Sequence, residues 1–85
     1  MDIQYAPKFI RQFNKLDKNL QTEVYEKIEV FKSGKNLESL RIHKLNGKLR
    51  NELGFWVNFR IRIRYVKKPN GEYWFLRVGP HNIYD

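Results

Sequence analysis

Three groups of residues in this chain have the types needed to work on a phosphodiester. FRIRIRY (59–65) sets Arg60, Arg62 and Arg64 at every second position. GPHNIYD (79–85) carries His81 and Tyr84, and HKLNGKL (43–49) carries His43, flanked by Arg41 and Lys44. Arginine holds a phosphate through two parallel hydrogen bonds and stays charged at any relevant pH. Histidine exchanges protons near neutrality. Tyrosine donates a hydrogen bond or stacks on a base. Together they suit cleavage of RNA by its own 2′-hydroxyl: one group takes the 2′ proton, one protonates the 5′ leaving oxygen, and a cation stabilises the charge on phosphorus. Spacing alone does not make this specific. Each histidine alone equally suits a surface or capping role, and the arginines equally suit a solvated sheet face whose stems cover apolar surface.

Composition narrows the field. Eighty-five residues make one small domain over 1–85. The absence of cysteine excludes disulfides and zinc–thiolate sites and fits a reducing cytoplasm. Two histidines make a structural metal site a poor expectation, and no motif implies a cofactor. No apolar run approaches the roughly 20 residues of a membrane span, and MDIQYAPKF lacks a basic-then-apolar export segment, so a cytoplasmic location is expected. The net charge is +8. Between Arg41 and Lys68 lie nine basic residues, Arg41, Lys44, Lys48, Arg50, Arg60, Arg62, Arg64, Lys67 and Lys68, against the single acid Glu52. Such one-sided charge attracts polyanions, nucleic acid first. Gly-rich phosphate loops, nucleophile elbows and HExxH are absent, and the acids are scattered, with Glu23, Glu26 and Glu29 on an expected helix, against a two-carboxylate hydrolase.

The elements that must position these residues can be read from periodicity. IQYA (3–6) reads as a short strand ending before Pro7, which suits the first turn of a helix. Phe9, Phe13 and Leu16, with Ile10 beside them, make one apolar stripe. DKN (17–19) supplies cap residues, and Leu20, Val24, Ile28 and Phe31 form a second stripe on a helix stopped by Gly34. Asn46-Gly47 signals a turn. KLRNEL (48–53) then reads as a strand, GFWVN (54–58) as a loop with exposed aromatics, FRIRIRYV (59–66) as a strand, KKPNGE (67–72) as a turn and YWFLRV (73–78) as the last strand. The order β-α-α-β-β-β predicts an α+β fold: one twisted antiparallel sheet with two N-terminal helices on one face. Phe59, Ile61, Ile63 and Tyr65 would face the helices. Arg60, Arg62 and Arg64 would form a row about 6–7 Å apart on the open face, near the spacing of phosphates on an extended strand.

These segments resemble, in order, the RelE/ParE superfamily of bacterial toxins from toxin–antitoxin pairs. The similarity runs through IQYAPKFIRQFNKL, the L-x-G of HKLNGKL (Leu45, Gly47), the Arg-x-x-Tyr strand RIRY (Arg62 to Tyr65) and the ending RVGPHNIYD. It covers nearly the whole chain through short, degenerate motifs. It implies a microbial-RNase-like fold, and for the RelE/YafQ-like branch a metal-independent endoribonuclease that cuts mRNA, usually in the ribosomal A site. By position, Arg62 would be the phosphate or transition-state ligand, His81 the acid–base residue and Tyr84 the C-terminal aromatic, while His43 matches the H-x-L-x-G histidine of the YafQ-like subset. That subset's further strand histidine and aspartate have no counterpart here, and Trp56 and Arg60 fall near their positions. Lys44, Lys48 and Arg50 would supply charge in place of the lysine cluster of RelE.

The expectation is therefore a toxin that cleaves mRNA on the ribosome. Arg62, His81, Tyr84 and His43 would be catalytic, and Arg60, Arg64, Lys44, Lys48, Arg50 and Trp56 would bind RNA. A cognate antitoxin, acidic in its binding segment, would be the partner. The alternatives are a ParE-like inhibitor of DNA gyrase without nuclease activity and a non-catalytic RNA-binding domain.

Overall fold

The computed structural model describes residues 1–45, 47 and 51–80. Its elements in chain order are β1 (Ile3–Tyr5), α1 (Pro7–Asn14), α2 (Lys18–Ser33), a 3-10 turn (Leu37–Leu40), β2 (His43–Lys44), β3 (Leu53–Trp56), β4 (Ile61–Lys67) and β5 (Tyr73–Pro80).

Local chemistry sets the helix ends. Ala6 is extended ahead of Pro7, whose fixed φ starts α1. The Asp17 carboxylate accepts the Leu20 N–H at 2.9 Å, satisfying one of the free donors that open α2. Gly34 ends α2 in the left-handed region at φ 71°. The apolar stripes meet the sheet as expected. Phe9 from α1 and Val24, Ile28 and Phe31 from α2 are buried against Phe55, Ile61, Ile63, Tyr65, Phe75 and Val78. Phe31 is the hub: its ring stacks on Phe55 at 5.3 Å and meets Tyr65, Tyr73 and Phe75 edge-on at 5.1–5.5 Å. One helical residue thereby touches three strands, with each aromatic pair contributing about 0.5–1.5 kcal/mol beyond burial.

The sheet has five strands in the order β1-β5-β4-β3-β2. All neighbours are antiparallel except β1, which runs parallel to β5. The fold is α+β as expected, with a mixed sheet instead of a purely antiparallel one. Alternation along a strand reports which face a residue occupies and nothing about the direction of its neighbour. β1 pairs only with 73–75, and beyond it the outer edge of β5 is closed by a side chain: Gln12 Oε1 accepts the Val78 N–H at 3.0 Å.

Several segments differ from the reading by pattern: of the described residues of KLRNEL only Leu53 is in a strand, His43–Lys44 form a short strand of their own, and β5 runs on to Pro80. GFWVN is not an exposed loop. It forms most of β3, with Phe55 fully buried, because Phe55 completes the aromatic cluster under Phe31. Phe59 is not a core residue. It sits in the turn before β4 and is 78% exposed, since the ladder begins only at Ile61. In β5 the register slips by one between Arg64 and Tyr65, leaving Leu76 as an extra residue. This bulge lets Phe75 and Val78, three apart, both face the core.

Burial first, and the neighbouring Tyr73 second, push the Tyr65 hydroxyl up to about 12. An unfolded tyrosine loses its proton near 10, so between these pH values the folded state holds more protons and stability falls as pH rises; below 10 the contribution is fully present and does not vary with pH. The melting temperature is expected to drop from pH 10 to 12, and Tyr65→Phe should flatten that drop in a calorimetric series.

Candidate functional site

Strand parity builds the site. With Ile61, Ile63 and Tyr65 committed to the helix side, Arg62 and Arg64 must lie on the other face of β4. The register adds their neighbours. Arg62 pairs with Trp56 on β3 and Gly79 on β5. Arg64 pairs with Gly54 and Arg77, and Gly54 in turn pairs with His43 on β2. Two rows cross the helix-free face, Trp56–Arg62–Gly79 and His43–Gly54–Arg64–Arg77. Gly54 has no side chain, so β3 places nothing between His43 and Arg64 on this face.

The Arg62 guanidinium lies over the Trp56 ring, Cζ 3.7 Å from its centroid. Its Nη1 donates to the carbonyls of Asn58 and Phe59, both at 2.7 Å. Arg62 is only 7% exposed. A guanidinium this buried needs such partners, and the ring contact contributes about 1–2 kcal/mol when desolvated. The turn that supplies the carbonyls is itself fixed: Asn58 Oδ1 accepts the N–H groups of Arg60 and Ile61 at 2.8 Å, and Asn58 Nδ2 donates to Glu23 Oε2 of α2 at 2.7 Å.

A second arginine reaches the same ring. Arg41 Cζ lies 4.6 Å from the Trp56 centroid. Arg41 is one of two non-glycine residues with positive φ among the described residues, at φ 52°, ψ 49°. That conformation costs an ordinary residue about 1–2 kcal/mol. In it the Arg41 carbonyl meets His43 Nδ1 at 2.8 Å. A carbonyl can only accept, so Nδ1 is the donor in this contact.

The third cluster is ionic. Arg64 Nε and Glu52 Oε1 meet at 2.6 Å in a charge contact rather than an aligned hydrogen bond, and Arg64 is 9% exposed. Arg77, opposite Arg64, donates Nη1 to the Leu76 carbonyl at 2.7 Å. Burial first, then repulsion from Arg64, lower the Arg77 guanidinium from its ordinary value, with Glu52 pulling the other way. Among the described residues no three His, Cys, Asp or Glu side chains converge as metal ligands.

The open row of three arginines is thus corrected. Only Arg62 and Arg64 share the face, both nearly buried, because aromatic and acidic neighbours cover them. Arg60 falls in the turn before β4 and is exposed. It lines a groove of about 490 Å³ with Leu16, Leu20, Phe59, Ile61 and Pro80, apart from the Arg62 site. Lys44 is exposed and pairs with Leu53, so its register places it on the opposite side from Trp56. Trp56, Arg62, Arg64 and His43 are brought onto one face. Lys48, Arg50, His81 and Tyr84 lie outside the described residues. Pattern reading missed Arg41, Asn58 and Arg77 as parts of this face. Arg77 was concealed by the bulge, and no signal in the sequence marks the backbone of Arg41.

No protein-family model and no curated protein sequence matches the chain. Solved structures do. YafQ from E. coli strain BL21(DE3) superimposes with a TM-score of 0.80 at 14% identity, covering 96% of this chain and 94% of that one. The YoeB/ParE toxin from Agrobacterium tumefaciens gives 0.76 at 10% identity, covering 95% and 99%. The RelBE2 toxin–antitoxin complex from Mycobacterium tuberculosis gives 0.75 at 17% identity, covering 94% and 96%. The chain has the fold of the RelE/YafQ toxins over at least 94% of its length.

Arg62→Lys keeps the charge but loses the planar fork that stacks on Trp56 while donating to two carbonyls. Urea denaturation should show a loss of about 1–2 kcal/mol, whereas Arg60→Lys should stay within about 0.5 kcal/mol.

Proposed function

We propose that this chain is the toxin of a toxin–antitoxin pair, of the RelE/YafQ-like kind, and that it is an endoribonuclease acting on mRNA at the ribosome through the 2′-hydroxyl, without metal. The observation that carries this reading is the Arg62–Trp56 pair on the same sheet face as His43, on a fold shared with YafQ over 96% of the chain. Arg62 uses Nη1 on the turn, and no other hydrogen bond occupies its remaining N–H groups among the described residues. Those groups can hold a phosphate oxygen as negative charge builds on phosphorus.

In this reading His43 Nε2 takes the 2′ proton, and His81, which follows Pro80 in sequence, protonates the 5′ oxygen. Tyr84 and Trp56 orient a base, and Lys48 and Arg50 attract the backbone. The products are a 2′,3′-cyclic phosphate and a 5′-hydroxyl end. An antitoxin with an acidic binding segment completes the pair in the cytoplasm; the RelBE2 structure, of the same fold, is a toxin–antitoxin complex.

The test is brief inducible expression in bacteria with mapping of new mRNA 5′ ends, beside His81→Ala and His43→Ala checked for native circular dichroism. New cuts at one position within codons, reduced at least about 100-fold in both variants, are expected. Growth arrest with gyrase inhibited and no cuts would overturn the reading, as would full cleavage by both variants.

A further inference from the structure

Arg41 touches two of the candidate working groups of the face. Its guanidinium lies over Trp56 and its carbonyl holds His43 Nδ1. It does so from a left-handed backbone that arginine disfavours, at the end of the 3-10 turn, where its own N–H donates to the Glu38 carbonyl at 3.3 Å. A strained residue persists only where its surroundings hold it in place. Here the Trp56 contact and the Glu38 bond do so, and the strained carbonyl is the one that His43 uses.

We propose that Arg41 is a positioning residue for His43. Its left-handed backbone aims the carbonyl that keeps the imidazole proton on Nδ1, leaving Nε2 as the basic nitrogen. This rests on the nuclease reading only for its consequence in catalysis; the assignment of the tautomer stands by itself. A basic side chain at this point would otherwise be read as one more phosphate contact, and the two roles separate cleanly. The backbone role depends on the left-handed conformation and not on the charge. Glycine and asparagine adopt that conformation readily, and β-branched valine does not.

The experiment compares Arg41→Gly, Arg41→Asn and Arg41→Val with the wild-type chain. Imidazole ¹⁵N shifts are recorded at a pH where the ring is neutral, the His43 signals being assigned by their loss in His43→Ala. Wild type, Arg41→Gly and Arg41→Asn are expected to keep the proton on Nδ1, and Arg41→Val to shift it toward Nε2 while its amide spectrum stays folded. RNA cleavage should fall about tenfold or more in Arg41→Val and far less in the other two. Equal loss of cleavage in all three with an unchanged tautomer would make Arg41 a charge contact and overturn the proposal. A tautomer that moves equally in all three, or in none, would overturn it too. A wild-type chain that cuts no RNA would sink the nuclease reading while the ¹⁵N shifts still decided the role of Arg41.

Discussion

Strand β4 is buried on both faces and yet carries an arginine at alternate positions, and much of the rest of the fold answers to that constraint. Its inner side is closed by Phe31 and the aromatic cluster. Its outer side needs partners that can share space with a guanidinium, because a buried cation without them is costly. Trp56 offers a π-face, the turn offers two carbonyls and Glu52 offers a carboxylate. Each comes from the neighbouring strand β3 or the chain flanking it, so the strand that holds the arginines and the strand that satisfies them are ladder partners. The only acid between Arg41 and Lys68 is thereby spent on Arg64, and the positive character of the face survives at Arg62 and Arg77.

The helix layer reaches this face indirectly. Glu23 on α2 accepts from Asn58, Asn58 closes the turn, and the turn carbonyls orient Arg62. Gln12 on α1 finishes the edge of β5 in a similar manner. One face of the sheet is thus registered against the helices on the other by side chains from both of them. This matches the general requirement that a working constellation be held by a rigid second layer.

Sequence patterns exposed the helices with their caps, because Phe9, Val24, Ile28 and Phe31 repeat at helical spacing and Asp17 and Gly34 punctuate them. The alternation in β4 was equally plain. The rest depended on partners distant in sequence. Phe55 reads as part of a glycine-containing loop until Phe31 is brought above it. Phe59 continues the alternation by composition, yet the ladder starts two residues later. Arg62 and Arg64 were legible as sharing one face. Their near burial was not, since it comes from Trp56 and Glu52 meeting them across the sheet. Arg41 was visible only as a charge: backbone handedness at a non-glycine residue leaves no mark in composition.

The extra residue at Leu76 has a consequence for how chains of this fold compare. On either side of it, inward and outward positions run out of phase, so odd-numbered Tyr73 and Phe75 precede an even-numbered Val78 in the same layer. A relative lacking that residue would need the opposite order of apolar and charged side chains along half of the strand to preserve the same core. Two such chains would superimpose closely while their letters, compared position by position, disagreed. For chains of this fold, comparison by inward-facing layers would recover what comparison by letters loses.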